Sequence, residues 1–287
     1  MNCFELIKGV LDNLWDNLEG TEEEKVEQIK TAIDYLSKNY HRIATSEKIN
    51  YDDKYIQFAY IYVYTASHAD YLFQLLTETQ QKRPIITTNN FRISSLGGGP
   101  GSDLIGCLKY IDSLPEKTPL KLKFNSFDRN HNWSFCWSNL SSSFSELSDN
   151  KEQKLELYPT FHYLDITDPN SLDLFKPYLD SNLITMIYFL SEILKCKDSS
   201  KNFLDYLFSN VNQGTILVLV DNKMDPIKEW FNEYVNNNSY ETIIEFEDKI
   251  VASSDEEVRI LQVYKNKFNH SPKIESKVMK RVVRKIK

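Results

Sequence analysis

The sequence has few cysteines and no long apolar run. The four cysteines form no CxxC pair and show no ligand-like spacing with the five histidines. We therefore expect neither a disulfide framework nor a metal site, and we expect a reducing compartment such as the cytoplasm, with the nucleus left open. No uninterrupted apolar segment approaches the roughly 18 residues of a membrane span, and the first residues lack the basic and apolar regions of a signal peptide. We accordingly expect no membrane partner.

The charge of the chain is unevenly distributed. The formal net charge is −7, but residues 267–287 hold eight Lys or Arg and one Glu, so this segment carries +7 and the rest of the chain carries −14. An acidic body argues against broad nonspecific nucleic-acid binding, whereas a basic tail can contact phosphate locally. We expect residues 267–287 to form a separate basic tail, either as a short helix or as a mobile segment.

The first 84 residues have the periodicity of helices. Apolar residues recur at spacings of three and four over Phe4–Leu18, which predicts a first helix. Thr21 with Glu24 three residues later is a capping-box pattern that starts a second helix. A third helix is predicted over 53–79. We assign residues 1–84 to a helical cap.

From residue 85 onward, short apolar runs alternate with helical patterns. Such alternation is typical of a mostly parallel sheet covered by helices on both faces. The last two runs are separated by an acidic loop, 247–257, without room for a crossover helix, so we predict a terminal antiparallel pair. The expected fold over residues 85–266 is α/β, with a seven-stranded, mostly parallel, doubly wound (Rossmann-like) sheet. The predicted strands are Arg92–Leu96, Lys121–Phe127, Thr160–Leu164, Leu183–Phe189, Thr215–Val220, Thr242–Phe246 and Arg259–Tyr264. The predicted helices between them are Ser102–Ser113, Ser134–Leu147, Ser171–Leu179, Ser200–Ser209 and Pro226–Asn236.

Glycine is scarce outside one loop, since four of the eight glycines fall between Gly97 and Gly101. This loop joins the first predicted strand to a predicted helix. Glycines allow positive φ angles and let a ligand approach the main chain closely, and free N–H groups at the start of the next helix bind ligand oxygens. A P-loop is excluded because no Gly-Lys-Ser/Thr follows. Ser102 replaces the third glycine of the dinucleotide fingerprint, which makes a dehydrogenase a weaker alternative.

This loop and the seven-stranded pattern resemble the class I S-adenosylmethionine (SAM)-dependent methyltransferases over roughly residues 85–266. The resemblance implies that the loop passes beneath the methionine and ribose portions of SAM. Asp128, which follows the second predicted strand, matches the acid that holds both ribose hydroxyls, because one carboxylate can accept from two vicinal hydroxyls. Asp165 matches the acid that faces the adenine amino group, and Ile166 would pack on the adenine ring. The implied cofactor-binding residues are Gly97, Gly98, Gly99, Pro100, Gly101, Asp128, Asp165, Ile166 and Leu190.

The segment 188–192, Tyr-Phe-Leu-Ser-Glu, ends the fourth predicted strand, where the family approaches the methyl group and the acceptor. Glu192 is the predicted catalytic residue, because it can orient an amine or accept a proton. Its structural alternative is an acid that complements the dipole of a helix N-terminus. Ser191 is assigned to the acceptor site together with Tyr64 and His68. These two residues share a helix face with Tyr60, and that face either covers the pocket or belongs to the core.

The resemblance implies methyl transfer from SAM to a nucleophile by in-line displacement. This chemistry mainly needs the donor and the acceptor to be held in line with water excluded, and it requires neither a catalytic triad nor a metal. The acidic body and the helical cap favour a small-molecule or peptide acceptor. An RNA methyltransferase that uses the basic tail and a non-catalytic SAM-binding sensor or scaffold are the alternatives. The oligomeric state is left open.

Overall fold

A single seven-stranded sheet organises the chain, in the order β3-β2-β1-β4-β5-β7-β6. The structure is a computed structural model, and it describes residues 1–40, 49–115, 119–140 and 155–287. Five strands are parallel, and β7 is antiparallel to both of its neighbours, which confirms the predicted fold class. The strands are β1 (Asn90–Leu96), β2 (Leu120–Asp128), β3 (Leu155–Tyr163), β4 (Leu183–Ile187), β5 (Ile216–Asn222), β6 (Tyr240–Ala252) and β7 (Glu275–Lys285).

Helices precede the sheet and join its strands. The capping box at the start of the second helix is present: the Glu24 amide donates to the Thr21 hydroxyl at 3.3 Å, and the Thr21 amide donates to the Glu24 carboxylate at 2.8 Å. The rest of the predicted helix Ser134–Leu147, beyond residue 140, lies outside the described residues. The helices are α1 (Cys3–Asp16), α2 (Glu22–Tyr40), α3 (Lys54–Tyr60), α4 (Ala66–Lys82), α5 (Ser102–Ser113), α6 (134–140), α7 (Ser171–Phe175), α8 (Phe189–Ile193), α9 (Lys197–Asn210), α10 (Asp225–Val235), α11 (Asp255–Val258) and α12 (Gln262–Phe268).

The seventh strand lies in the segment that the sequence assigned to a basic tail, so the strand predicted at Arg259–Tyr264 is wrong. That region is helical, and its buried residues Leu261, Tyr264 and Phe268 have helical spacing. β7 was missed because its interior contains charged residues, namely Lys280, Arg281 and Lys285. Residues 275–285 are therefore neither a short helix nor a free tail.

Two further boundaries differ from the prediction. β4 ends at Ile187, two residues early, because Tyr188 adopts a left-handed backbone (φ 55°) and the next residue starts α8. β6 continues through Ala252 and is followed by α11, so the predicted acidic loop 247–257 is strand and helix instead. The sequence did not predict this part of the strand because its residues are charged. An edge strand such as β6 tolerates charged residues.

The two faces of the sheet bury different side chains. In β5, Ile216, Val218 and Val220 belong to the core that contains the apolar residues of α1, α2, α4 and α5. Leu217 and Leu219 belong to the core formed with α9 and α10. This alternation follows from the two-residue period of a strand. The N-terminal helices therefore help to cover one face of the sheet, as well as contributing to the site described below.

Helices α4 and α5 pack unusually close together. A Cβ on Gly106 of α5 would lie 2.4 Å from the Ala69 carbonyl oxygen of α4. Beside this contact, the Lys109 ammonium of α5 donates to Asp70 of α4 at 2.7 Å and to Glu257 of α11 at 2.7 Å. The glycine and the buried ion pair together hold α4 against α5. Within the described residues, no helix is long and apolar enough to cross a membrane.

A π-helical turn, Ile61–Thr65, joins α3 to α4. It holds the C-terminal segment in place, because the Lys273 amide donates to the Val63 carbonyl oxygen at 2.9 Å. Two hydroxyls nearby also donate to this segment, Tyr62 to the His270 carbonyl and Ser67 to the Lys273 carbonyl. Such π-turns often accompany functional sites. Here the turn brings residues 270–273 next to the helical cap.

Candidate active site

The glycine loop leaves the end of β1, where the strand order of the sheet reverses between β1 and β4. Three of its glycines have positive φ angles: Gly97 at 67°, Gly99 at 46° and Gly101 at 102°. The Gly97 amide donates to the Phe127 carbonyl oxygen of β2 at 2.8 Å, which fixes the start of the loop. The sequence therefore needed glycine here for conformation, and the loop lies at the edge of the sheet where open α/β folds bind ligands.

A buried carboxyl group supports this loop from the sheet side. Asp103, in the first turn of α5, accepts hydrogen bonds from Ser95 of β1 at 2.7 Å and from Ser102 at 3.0 Å, and also from Thr185 of β4. Burial raises the pKa of Asp103 to about 6. Sequence reasoning did not assign this residue a role. Its side chain ties the two strands on either side of the topological switch to the loop.

Asp128 joins the loop to the second strand. Its Oδ2 accepts from the Gly99 amide at 3.0 Å, and its Oδ1 accepts from the Asn130 amide at 2.8 Å. Burial is the main cause that raises the pKa of this carboxyl, and the two amides oppose that shift. Each carboxylate oxygen has a further lone pair for a ligand hydroxyl. The carboxylate is thus held in a fixed orientation in the wall of a cavity.

This cavity, which we call the first cavity, has a volume of about 420 Å³ and lies at the carboxyl ends of β1 to β4. Its size falls in the range of small-molecule sites. Of the residues implied for SAM binding, it is lined by Gly97, Gly99, Pro100, Asp128, Asp165 and Ile166. Three others lie outside its lining. Gly98 packs against Ser126, Gly101 faces Leu140, and Leu190 is buried in the core of the sheet.

Asp165 and Ile166 follow β3 on the far side of the first cavity from the glycine loop. The Asp165 Oδ1 accepts from the Thr167 amide at 3.0 Å and from the Thr167 hydroxyl at 2.7 Å. These hydrogen bonds form an Asx-type turn at Asp165. The exposed fraction of Ile166 is 8%, so its side chain presents a small apolar surface to the cavity.

Glu192, in α8 after β4, lines the same cavity. Burial raises the pKa of its carboxyl to about 7, and the nearby Asp128 charge adds to this, while Arg129 opposes it. The Tyr40 hydroxyl donates to Glu192 Oε1 at 3.4 Å. A carboxyl with a pKa near neutrality can hold and release a proton at physiological pH. The structure thus brings Glu192 to the cavity that contains Asp128.

A group of tyrosines from the N-terminal segment, which we call the tyrosine wall, packs beside the first cavity, and two of them, Tyr51 and Tyr60, line it. The Tyr40 and Tyr51 hydroxyls are 2.8 Å apart and hydrogen-bonded. The ring of Tyr60 lies 5.4 Å from that of Tyr51 and 5.5 Å from that of Tyr64, measured between centroids. Burial raises the pKa values of the Tyr40, Tyr51 and Tyr60 hydroxyls, so these groups stay protonated.

Beyond this tyrosine wall lies a second cavity of about 320 Å³. The Tyr64 and His68 side chains line it, as do Tyr40 and Tyr188. The predicted helix face is therefore divided, with Tyr60 lining the first cavity and the other two residues lining the second. Ser191 lines neither: its amide donates to Asp221 Oδ2 at 3.0 Å, and its hydroxyl donates to the Tyr188 carbonyl oxygen at 3.2 Å.

Several residues of the first cavity had no signal in the sequence. Tyr51, Asp52 and Arg129 line it, and no local pattern marked them. The Trp133 side chain also lines it, and its ring centroid lies 5.3 Å from that of Tyr51. Tyr51 and Asp52 were missed because tertiary packing, and not local spacing, brings the α2–α3 connection onto the carboxyl ends of the strands.

The central part of the chain matches a known protein family. Residues 37–225 match the family Methyltransf_34, which is described as "Putative SAM-dependent methyltransferase". Because the match covers more than half of the chain, the chain belongs to this family of SAM-dependent methyltransferases. Membership confirms the predicted enzyme class and SAM as the cofactor. A comparison with curated proteins finds no match.

Solved structures of low sequence identity resemble the chain. The YcgJ protein from Bacillus subtilis is 12% identical, with 76% of this chain and 99% of that chain covered and a TM-score of 0.36. The plantazolicin methyltransferase BpumL, solved with a monoazolic desmethylPZN analog and SAH, is also 12% identical, with 93% and 100% covered and a TM-score of 0.41. Because both TM-scores lie below 0.5, these likenesses do not establish the acceptor of this chain.

Proposed function

We propose that this chain, as a member of that family, transfers the methyl group of SAM to a nitrogen or oxygen nucleophile, with Glu192 as the general base. The observation that carries the proposal is the position of the Glu192 carboxyl. It lies in the wall of the cavity that also contains the glycine loop and Asp128, and burial raises its pKa to about 7. Bound SAM supplies an electrophilic methyl group on a positively charged sulfur, with S-adenosylhomocysteine (SAH) as the product.

The residues of the first cavity fit SAM. A Cβ on Gly99 would meet no protein atom closer than 4.0 Å and would stand beside the Asp128 carboxylate, so the missing side chain leaves space for a ligand. We assign the two oxygens of Asp128 to the ribose hydroxyls, Asp165 to the adenine amino group and Ile166 to the adenine ring. The two carboxylates would accept hydrogen bonds from the ligand, and Ile166 would supply an apolar contact.

Glu192 would act on the acceptor. The acceptor nitrogen or oxygen attacks the methyl carbon, the bond from carbon to sulfur breaks, and its electron pair stays on sulfur. The proton of the acceptor passes to the Glu192 carboxylate. A base with a pKa near 7 is half ionised at neutral pH and so remains available for this transfer. The surrounding tyrosines exclude water, and they do not compete for the proton because they are protonated themselves.

A small-molecule or peptide acceptor remains our proposal. The RNA alternative depended on a free basic tail. In the structure, Lys280 pairs with Glu78, the Arg281 guanidinium donates to Asn232 at 2.7 Å, and the Lys285 ammonium donates to the Phe208 carbonyl oxygen at 2.9 Å. All three side chains are buried in β7. These cations are therefore not available as a phosphate-binding arm.

The test combines binding with transfer. Calorimetry should show that SAM and SAH bind and that NAD does not. Tritium-labelled SAM is then incubated with separate fractions of cellular small molecules, peptides and RNA. In the fraction that accepts the label, we expect Glu192→Gln to keep SAH affinity and to lower transfer by about 100-fold or more. Glu229→Gln, at an exposed position on α10, is the matched control and should change neither.

The pH dependence separates a base from a positioning acid. Wild-type kcat/KM should rise with pH through about 7, as Glu192 loses its proton. Methyl transfer by Glu192→Gln at the wild-type rate would exclude Glu192 as the general base. SAH binding without transfer to any fraction would favour a sensor or scaffold, and tight NAD binding without SAH binding would contradict the cofactor assignment.

A further inference from the structure

The second cavity lies near the carboxyl ends of two central strands. Two residues at the carboxyl ends of neighbouring strands line it, Tyr188 after β4 and Asn222 at the end of β5. Tyr40 lines it as well, and the hydroxyl of this residue reaches Glu192 in the first cavity at 3.4 Å. The Tyr40 side chain therefore separates the second cavity from the proposed general base by a single residue.

Its walls are aromatic. The rings of His68 and Tyr188 are stacked, with centroids 4.1 Å apart and 22° between their planes, and the Tyr64 ring lies 5.8 Å from His68. The exposed fraction of His68 is 3%, and none of the described residues forms a hydrogen bond with its ring nitrogens. Burial, followed by the Lys273 charge, lowers the pKa of His68 to about 3. The imidazole is thus neutral and has one donor and one acceptor to offer a ligand.

A single cation reaches this cavity from the described residues. Lys273 lines it, and the Lys273 ammonium lies 5.8 Å from the centre of the Tyr64 ring. No carboxylate among the described residues pairs with this ammonium, in contrast to Lys109 and Lys280, and none of the residues lining the cavity is Asp or Glu. Burial lowers its pKa, a shift that a bound anion would oppose.

The backbone around Lys273 is fixed in place. Its amide donates to the Val63 carbonyl oxygen of the π-helical turn at 2.9 Å, and its own carbonyl accepts from the Ser67 hydroxyl. Holding a cation without a protein partner against an aromatic pocket costs solvation energy, and an anionic ligand would return that energy.

We propose that the second cavity receives the methyl acceptor, and that the acceptor is a planar ring bearing a carboxylate or phosphate group. The ring packs among Tyr64, His68 and Tyr188, and the anionic group pairs with Lys273. This assignment rests on the proposed function, because it places the nucleophile of the acceptor on the Glu192 side of the tyrosine wall. The pocket would favour such a ligand over an uncharged ring of the same size through the one charged hydrogen bond.

The experiment compares three probes on the SAH-saturated protein by ligand-observed NMR: benzoate, phenyl phosphate and uncharged benzamide. We expect at least one anionic probe to bind more tightly than benzamide, and the two anionic probes to distinguish carboxylate from phosphate. Lys273→Gln should weaken the anionic probe by about tenfold or more while leaving benzamide unchanged. Lys273→Arg should retain the anionic preference. The control Lys277→Gln, at an exposed position on β7, should bind all probes as the wild type does.

The outcomes separate this proposal from the proposed function. Equal binding of charged and uncharged probes, no binding of any probe, or an equal loss in Lys277→Gln would overturn the assignment of the acceptor while SAH still binds. If SAH itself does not bind to the wild-type protein, the proposed function fails instead.

Discussion

Removing the Asp128 carboxylate tests the cofactor assignment in quantitative terms. In Asp128→Ala, both ribose hydroxyls of SAH would lose their acceptor, while the Gly99 and Asn130 amides would lose theirs in the free protein as well. The amide losses affect the free and the bound state alike, so only the hydroxyl contacts enter the binding difference. Stranded partners of this kind cost about 1–3 kcal/mol. The dissociation constant of SAH should therefore rise about 5- to 150-fold.

The assay is isothermal titration with SAH, and thermal unfolding establishes that each variant is folded. Asp128→Asn keeps the size of the side chain and removes the charge, so we expect this variant to bind SAH more weakly as well. Asp168→Ala is the matched control, because this exposed acid lies in the loop after β3 and outside the lining of the first cavity. A folded Asp128→Ala protein with wild-type SAH affinity would refute the reasoning, since another group would then hold the ribose.

Three further predictions concern the loop, the base and the last strand. Gly99→Ala should cost about 1–2 kcal/mol of stability because the φ of Gly99 is 46°, and it should weaken SAH binding. Gly106→Ala, whose Cβ would lie 2.4 Å from the Ala69 carbonyl oxygen, should lower the melting temperature further without changing SAH affinity. Wild-type SAH affinity in Gly99→Ala, measured by calorimetry, would contradict this. Because the folded-state pKa of Glu192 is raised from 4.5 to about 7, the wild type loses stability as pH rises through this window. Denaturant titrations should therefore show the unfolding free energy of Glu192→Gln gaining on the order of 2 kcal/mol over that of the wild type between pH ~5 and ~8. A constant difference in unfolding free energy between the two proteins across that range would count against the buried carboxyl. Deleting residues 269–287 removes β7 from between β5 and β6, so circular dichroism should show an unfolded chain, and a folded truncated protein would contradict the sheet order.

Local signals in the sequence were sufficient for the glycine loop and for the acid after the second strand. Gly97, Gly99 and Gly101 adopt the positive φ angles that their residue type allows, and Asp128 lies beside them because β1 and β2 are adjacent and parallel. The capping box of Thr21 and Glu24 was readable for the same reason, since both partners lie within one helical turn.

Features that depend on distant contacts were not readable. β7 carries Lys280, Arg281 and Lys285 in its interior, and only their partners in other elements make their burial tolerable. Tyr40 meets Glu192 across 152 positions of sequence, and Lys273 meets the cap through the π-helical turn. The spacing of apolar residues along the chain carries no information on such distant pairs. The second cavity is therefore visible only in the three-dimensional structure.

A structure of the protein with SAH bound is the most direct test of the central claim. The account predicts SAH in the first cavity, with its ribose hydroxyls within hydrogen-bonding distance of both Asp128 oxygens, its adenine near Ile166 and its sulfur turned toward Glu192. SAH bound elsewhere, or bound in this cavity with its ribose away from Asp128, would contradict it.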